Sequence, residues 1–345
     1  MSNIQYDLFS DTNVNPSDAM RQMISKATVG NEAAGEDPTV NLLLARVCEL
    51  LGKPAAVFMP TGTMCNGVAY RTLCQPGDRI IIDKSAHPLN MASGLIGGLV
   101  GAQPQIIEGI RGIFSVDQLK QAIGLNSGYN IAKATVVSIE QTTNLGGGAI
   151  WSLEAINNIC EYAHQNGLKV HMDGSRLLNA CTATGIKASS YCEHIDSVWI
   201  DFAKGLGAPM GSVLAGSKAF IDKAWFYKFQ QGGVMHQAGL MAAGCIYALD
   251  HHIHRLGEDH ANAHYFAECL AKHDDIEVMP VETNIVIFTL KSNAFDAYQL
   301  QQILLQKGIR LLALNHRQLR AIFHMDIQRN SIDNIIEIII GTFTE

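Results

Sequence analysis

The chain has little charge and few aromatic residues for its size: Asp, Glu, Lys and Arg make up 17% of its 345 residues and Phe, Trp and Tyr 7%. Charge so sparse, beside 48% hydrophobic residues, excludes a disordered chain and points to a well-buried globular one. There is no basic excess, since the formal net charge is −7, and so no electrostatic reason to expect a nucleic-acid partner. No apolar run approaches the roughly 20 residues of a membrane span. The start, Met1 to Asp7, lacks both a basic stretch and an apolar stretch, so secretion is not expected. The eight cysteines, at 48, 65, 74, 160, 181, 192, 245 and 269, form no C-x-x-C pair. That argues against a disulfide framework or a zinc site and for the reducing cytoplasm. Thirteen histidines suggest no metal either, because His251-His252-x-His254 reads as the polar face of a helix.

Short apolar runs alternate with helical patterns along most of the chain. Strands are expected at Ala55–Met59, Arg79–Asp83, Gln105–Ile107, Thr135–Ile139, Leu168–Met172, Asp196–Phe202 and Gly211–Gly216. Helices are expected at Pro38–Leu51, Met64–Leu73, Val116–Ile123, Leu153–Gln165, Gln237–Asp250 and Leu256–Lys272. A first helix opens at Ser17 or Asp18 with cap chemistry. This alternation implies an α/β fold with a mainly parallel sheet covered on both faces. A smaller α+β unit closes the chain, with strands at Asn284–Leu290, Ile309–Leu312 and Leu319–Phe323 and helices at Ala294–Lys307 and from Ile332. The expected division is a large domain over residues 1–250 and a small C-terminal domain over 251–345. No internal repeat or low-complexity linker interrupts them.

Two strand ends organise the chemistry. One apolar run ends in His171-Met172-Asp173-Gly174-Ser175-Arg176, and the next runs through Trp199 and Ile200 into Lys204-Gly205-Leu206-Gly207. In an open α/β sheet, ligands sit at the carboxyl ends of the strands, which places Asp173 and Lys204 at one crevice. A lysine and an acid meeting there suit pyridoxal phosphate (PLP), the lysine forming the Schiff base and the acid holding the pyridine nitrogen protonated. Pro60-Thr61-Gly62-Thr63 joins a strand to a helix, where free backbone N–H groups make an anion site for a phosphate. His87, just past a strand end, is placed to stack on a planar ring. Each motif alone also has an ordinary reading: a surface lysine, a capped helix or a loop histidine.

Taken together, the motifs resemble those of the threonine aldolases, a family of threonine aldolase and aromatic amino acid β-eliminating lyase-like enzymes within the aspartate-aminotransferase-like fold type I PLP proteins. The resemblance covers nearly the whole chain. It rests on Ser10-Asp11-Thr12, Gly35-Glu36-Asp37-Pro38, Pro60-Thr61-Gly62-Thr63, Ala86-His87, Asp173-Gly174-Ser175-Arg176, Lys204-Gly205-Leu206-Gly207 and Arg320 in Leu319-Arg320-Ala321. It implies Lys204 as the Schiff-base lysine, Asp173 on the pyridine nitrogen, His87 on the ring face and Gly62 with Thr63 on the phosphate. Arg176 and Arg320, with Ser10 nearby, would grip the amino acid's carboxylate, and Arg176 also belongs to the implied cofactor set. The implied reaction cleaves an L-β-hydroxy-α-amino acid, such as L-threonine or L-allo-threonine, to glycine and an aldehyde, with His87, or a water it holds, handling the hydroxyl proton. A homodimer or homotetramer with active sites at the subunit boundary is also implied, with residues 1–15 contributing to the site.

Five positions depart from the family pattern: Phe9, Ala34, Asn130, Thr143 and His236. The resemblance places them around the substrate's β-substituent and the subunit boundary. They keep two alternatives open: β-elimination, racemisation or transamination of another amino acid, and a PLP-binding homologue with little turnover.

Overall fold

The computed structural model describes residues 4–124, 126–291 and 296–343. Its strands are β1 (Tyr6–Asp7), β2 (Ala55–Met59), β3 (Arg79–Asp83), β4 (Gln103–Ile107), β5 (Ala134–Glu140), β6 (Lys169–Gly174), β7 (Ser197–Asp201), β8 (Ser212–Gly216), β9 (Ile276–Val278), β10 (Ile285–Leu290), β11 (Ile309–Arg310), β12 (Leu312–Ala313) and β13 (Gln318–Ile322). Seven form the central sheet in the order β2-β8-β7-β6-β5-β3-β4. Only β8 runs against the rest, pairing antiparallel with β2 and β7. The carboxyl ends of the other six therefore share one edge.

Local chemistry sets the helices around this sheet. Asp37 caps helix Pro38–Leu51 by accepting the Thr39 and Val40 N–H groups, Pro38 opens its first turn, and Gly52 closes it in the left-handed region at φ 63°, a conformation that costs glycine little. Ser115 and Gln118 form a capping box on helix Val116–Ile123, and Ser152 caps Leu153–Gln165. Apolar side chains fill both faces of the sheet: Phe58, Ile81, Val137, Met172 and Ile200 on one, and Val57, Val68, Trp199 and Leu214 on the other.

A four-stranded antiparallel sheet, β12-β13-β10-β9, carries the second core, with Phe266, Phe288, Leu300, Phe323 and Ile335 packed together. Leu8 belongs to that core, and β1 pairs in parallel with β11. The N-terminal segment is thus tied to the C-terminal sheet, although some 300 residues separate them in the chain.

The structure differs from the sequence reading in several places. Helices Leu177–Thr184, Ala188–Cys192 and Lys218–Gln230 were not expected. The helix after Pro60 begins at Gly62 rather than Met64. The expected strand Ile309–Leu312 is two short strands with different partners, β1 and β13. The expected start of the following helix at Ala294 lies outside the described residues. His252 is not on a polar helix face: it is buried, with Nδ1 2.7 Å from the Leu206 carbonyl oxygen.

Candidate active site

The sheet register lines up the site before any ligand is considered. Glu140, Asp173 and Trp199 are neighbours across β5, β6 and β7, on the face covered by helix Gly62–Leu73. That helix presents Gly62, Asn66 and Tyr70 inward, one turn apart, and all three are buried. Asn66 is a hub. Its Nδ2 donates to Asp173 Oδ2 at 2.9 Å, and its Oδ1 accepts from Trp199 Nε1 at 2.8 Å. His171 Nε2 also lies 3.0 Å from that oxygen, and His171 Nδ1 lies 2.8 Å from Ser197 Oγ. Burial draws the His171 imidazole down to about 4, against a smaller pull from Asp173, so the ring is neutral and can pass a directed chain of hydrogen bonds to the Asp173 carboxylate.

Asp173 accepts the Ser175 N–H at 3.1 Å on its other oxygen. Two oxygens offer about four acceptor positions, which leaves room for a further donor such as a protonated pyridine nitrogen. Lys204 follows β7 on a turn closed by the Gly207 N–H donating to the Lys204 carbonyl at 2.7 Å and the Ala203 N–H donating to Asp201 Oδ1 at 3.0 Å. Its ammonium lies 3.2 Å from Asp201 Oδ2 and 5.5 Å from the centre of the Trp199 ring. Lys204 shares a narrow cleft with Gly174, Ser175, Arg176 and Asp201. Roomier clefts of about 510 and 730 Å³ lie elsewhere, one around Lys53 and Lys223 and the other around Ile110 and Glu282. Neither is lined by Lys204, Asp173 or Arg320, so the chemistry and not the volume marks the site.

At the mouth of helix Gly62–Leu73, Thr61 accepts the Met64 N–H. The first amides of a helix have no partner within it, and Gly62 and Thr63 stand at that position. A Cβ on Gly62 would lie 2.1 Å from the Trp199 ring, so only glycine fits there. His87 opens the four-residue helix His87–Asn90 and is half-buried. Burial lowers its pKa, the Lys204 and Arg176 charges add to this, and Asp173 opposes it. A neutral imidazole is the form that can take up a proton.

The two arginines differ. Arg176 is held by Asp11 through two hydrogen bonds, Nε to Oδ2 at 2.8 Å and Nη2 to Oδ1 at 2.7 Å, with both residues buried. Burial alone would raise the Asp11 carboxyl, but the Arg176 charge and its hydrogen bonds outweigh it and hold Asp11 well below the ordinary carboxylate range. Arg320 donates Nη1 to Asn144 Oδ1 at 2.6 Å and Nη2 to the Phe9 carbonyl at 3.2 Å, while its buried Nε has no partner among the described residues. Burial and the nearby Arg176 charge draw Arg320 down to about 10. An orphaned N–H on a buried guanidinium is costly unless a ligand satisfies it. Arg320 is therefore the better-placed carboxylate donor. Ser10 is close by, its hydroxyl oxygen accepting from Thr12 N and Thr12 Oγ1.

The five departing positions scatter. The Phe9 ring lies under Arg310, 4.5 Å from its guanidinium carbon. Ala34 and His236 are exposed, and the His236 carbonyl accepts the Glu32 N–H. Thr143 is buried, with its hydroxyl unpaired among the described residues, and Asn130 lies on an exposed turn beside the fully exposed Tyr129. Sequence reasoning missed Asn66, Glu140, Asn144 and Asp201. Asn66 left a signal, a polar residue in the otherwise apolar and small inward stripe of its helix, and Glu140 and Asp201 left another, an acid ending an apolar strand; Asn144 left none.

This is the architecture of the fold type I PLP-dependent enzymes. Among solved structures, the threonine aldolase of Leishmania major superposes with a TM-score of 0.83 over 98% of this chain and 99% of that one, at 17% identity. At that identity the likeness concerns the fold alone. The beta-eliminating lyase family model matches residues 7–293, and the chain belongs to that family. It is 33% identical over 330 residues to the low specificity L-threonine aldolase of Escherichia coli K12, covering 95% of this chain and 96% of that protein. It is 34% identical over 332 residues to the low-specificity L-threonine aldolase of Candida albicans, covering 94% and 87%.

Proposed function

We propose that the protein is a PLP-dependent aldehyde-lyase that cleaves an L-β-hydroxy-α-amino acid, with L-threonine and L-allo-threonine as its first candidates, to glycine and an aldehyde. The observation that carries this reading is the placement of Asp173 and Lys204 at the carboxyl ends of β6 and β7, with Arg320 of the C-terminal sheet reaching Asn144 beside them and its Nε open, in a chain 33% identical to a low specificity L-threonine aldolase along nearly its whole length.

The residues fit the cofactor. Lys204 supplies the amine that holds it, Asp173 the acceptor for its ring nitrogen, and Gly62 with Thr63 the helix-start amides for its phosphate. When bound, PLP supplies an electron sink for the bond that breaks. The protein does the rest. Arg320 holds the amino acid's carboxylate, with Arg176 fixed behind it by Asp11, and this grip orients the Cα–Cβ bond. The His87 ring takes the proton from the β-hydroxyl, which lets the aldehyde leave. The Asn66–His171 chain keeps Asp173 aimed throughout. Exposed Phe226 and Phe229 on helix Lys218–Gln230 support a homo-oligomer, and the two sheets with separate cores support a large unit over 1–250 and a small one over 251–345, except that the segment around Leu8 packs with the small one. The eight free cysteines support a cytoplasmic location. Among the described residues, no helix is long and apolar enough to cross a membrane.

The test is to incubate the purified holoprotein with L-threonine, L-allo-threonine and phenylserine in turn. Glycine and an aldehyde in equal amounts are expected from at least one of them. Pyruvate, ammonia or a keto acid instead would move the protein to the eliminating or transaminating alternatives, and the D-amino acid to the racemising one.

A further inference from the structure

Helix His87–Asn90 has no side-chain cap of its own, because Ala86 stands at its N-cap. The acceptor comes instead from β5. Glu140 Oε2 accepts the His87 backbone N–H at 3.0 Å. The other oxygen, Oε1, accepts the Asn144 N–H at 2.9 Å. The Asn144 side chain in turn accepts Arg320 Nη1 at 2.6 Å and places its Nδ2 3.6 Å from Met91 Sδ. Glu140 is 5% exposed. It sits next to Asp173 in the sheet register. One buried carboxylate therefore joins the turn that carries His87 to the loop that steadies Arg320.

We propose that Glu140 is a positioning residue that sets the place of the His87 imidazole and, through Asn144, the place of the Arg320 guanidinium. This rests on the reading above, in which His87 moves the hydroxyl proton and Arg320 holds the carboxylate. The physical need is plain. The two groups come from different units of the chain, and a displacement of about 1 Å between them is enough to cost roughly 10²-fold in rate. An ionised carboxylate can accept on both oxygens at once, whereas an amide can accept on one only.

The geometry also gives the brace a pH dependence. The charged and titratable groups around Glu140 are Asp173 on the next strand, Arg176 beyond it, Arg320 from the C-terminal sheet, and Tyr70 and His87 from the covering elements. Burial, reinforced by the Asp173 charge, pushes the Glu140 carboxyl up to about 7. Below that pH one oxygen carries a proton and no longer accepts a backbone N–H, so the brace holds above pH 7 and loosens as the pH falls.

The test is Glu140→Gln in the holoprotein, with two readouts. Glycine affinity is followed by the change glycine makes in the visible spectrum, and kcat and KM are measured from pH 6 to pH 9. Glu140→Gln is expected to weaken glycine about tenfold and lower kcat/KM roughly 10²-fold. It should also remove the acid limb near pH 7 that the wild type shows. Wild-type glycine affinity and an unchanged acid limb would overturn the proposal. Should Glu140→Gln fail to fold, Asn144→Ala replaces it, since this variant keeps both Glu140 bonds and deletes the relay to Arg320 together with the contact to Met91 Sδ. It is expected to weaken glycine and lower kcat/KM, and unaltered glycine binding would overturn the proposal. The glycine titration needs no turnover, so wild-type protein that binds glycine but cleaves no hydroxy amino acid would reject the aldolase reading while leaving Glu140 testable.

Discussion

Replacing Asp11 with Ala should cost far more than a surface ion pair would, because Arg176 has nowhere else to go. The guanidinium is 5% exposed and the carboxylate 1%. Among the described residues, Nε and Nη2 are satisfied by Asp11 alone, at 2.8 and 2.7 Å, and Asn284 Nδ2 also donates to Asp11 at 3.3 Å. Removing one partner of a buried pair leaves the other charge uncompensated, which costs about 3–5 kcal/mol. With an unfolding entropy of about 2.1 cal/mol/K per residue over 345 residues, that lowers Tm by about 4–7 °C for a chain melting as one unit. The same pair predicts an acid signature. The depressed Asp11 carboxyl contributes stability that is complete above the ordinary 3.8 and is lost as the pH falls through its own lower titration. Scanning calorimetry of wild type and Asp11→Ala at pH 7 and under acid would measure both. A loss below about 1 kcal/mol at pH 7, the level of an exposed pair, would refute the claim that Arg176 depends on the N-terminal segment.

Three further outcomes follow from single contacts. Gly62→Ala drives a methyl against the Trp199 ring at 2.1 Å and strains the Trp199–Asn66 hydrogen bond; a loss of about 1–3 kcal/mol is expected, with a changed tryptophan emission and weaker PLP binding by spectral titration. Arg320→Ala removes a charged hydrogen bond worth about 1.5–3 kcal/mol, so KM for the amino acid should rise roughly 10- to 100-fold while PLP affinity stays at the wild-type value. His171 is neutral in the fold, with a pKa of about 4 against the ordinary 6.5. The unfolded chain therefore takes up a proton first as the pH falls from 6.5 to 4, and stability drops by up to about 3 kcal/mol across that window; His171→Gln should flatten the drop in urea melts.

Much of this molecule was legible in its sequence where local rules act alone. Strands β2 and β3 and helices Val116–Ile123 and Leu153–Gln165 fall at the residues expected, because apolar runs and caps such as Ser115 and Ser152 fix their ends locally. Helix Lys218–Gln230 was hidden because its apolar residues form no single stripe: Phe220 and Ala224 are buried while Phe226 and Phe229 face outward. The split of Ile309–Leu312 is a tertiary effect, since the segment changes partner between Arg310 and Leu312. The same division holds at the site. Strand ends and a Gly-Thr turn announced Lys204, Asp173, Gly62 and Thr63, but the partners Asp11, Asn66, Glu140 and Asn144 are set by register and by contacts across the chain. The pairing of Arg176 with Asp11 and the open Nε of Arg320 separate two arginines that the sequence could only group together.

The measurement that bears most directly on the central claim is to load the purified protein with PLP, reduce it with borohydride and map the phosphopyridoxyl group by peptide mass spectrometry. The account predicts a single adduct on Lys204, absent from Lys204→Ala. An adduct on another lysine, or none on the wild type, would contradict it.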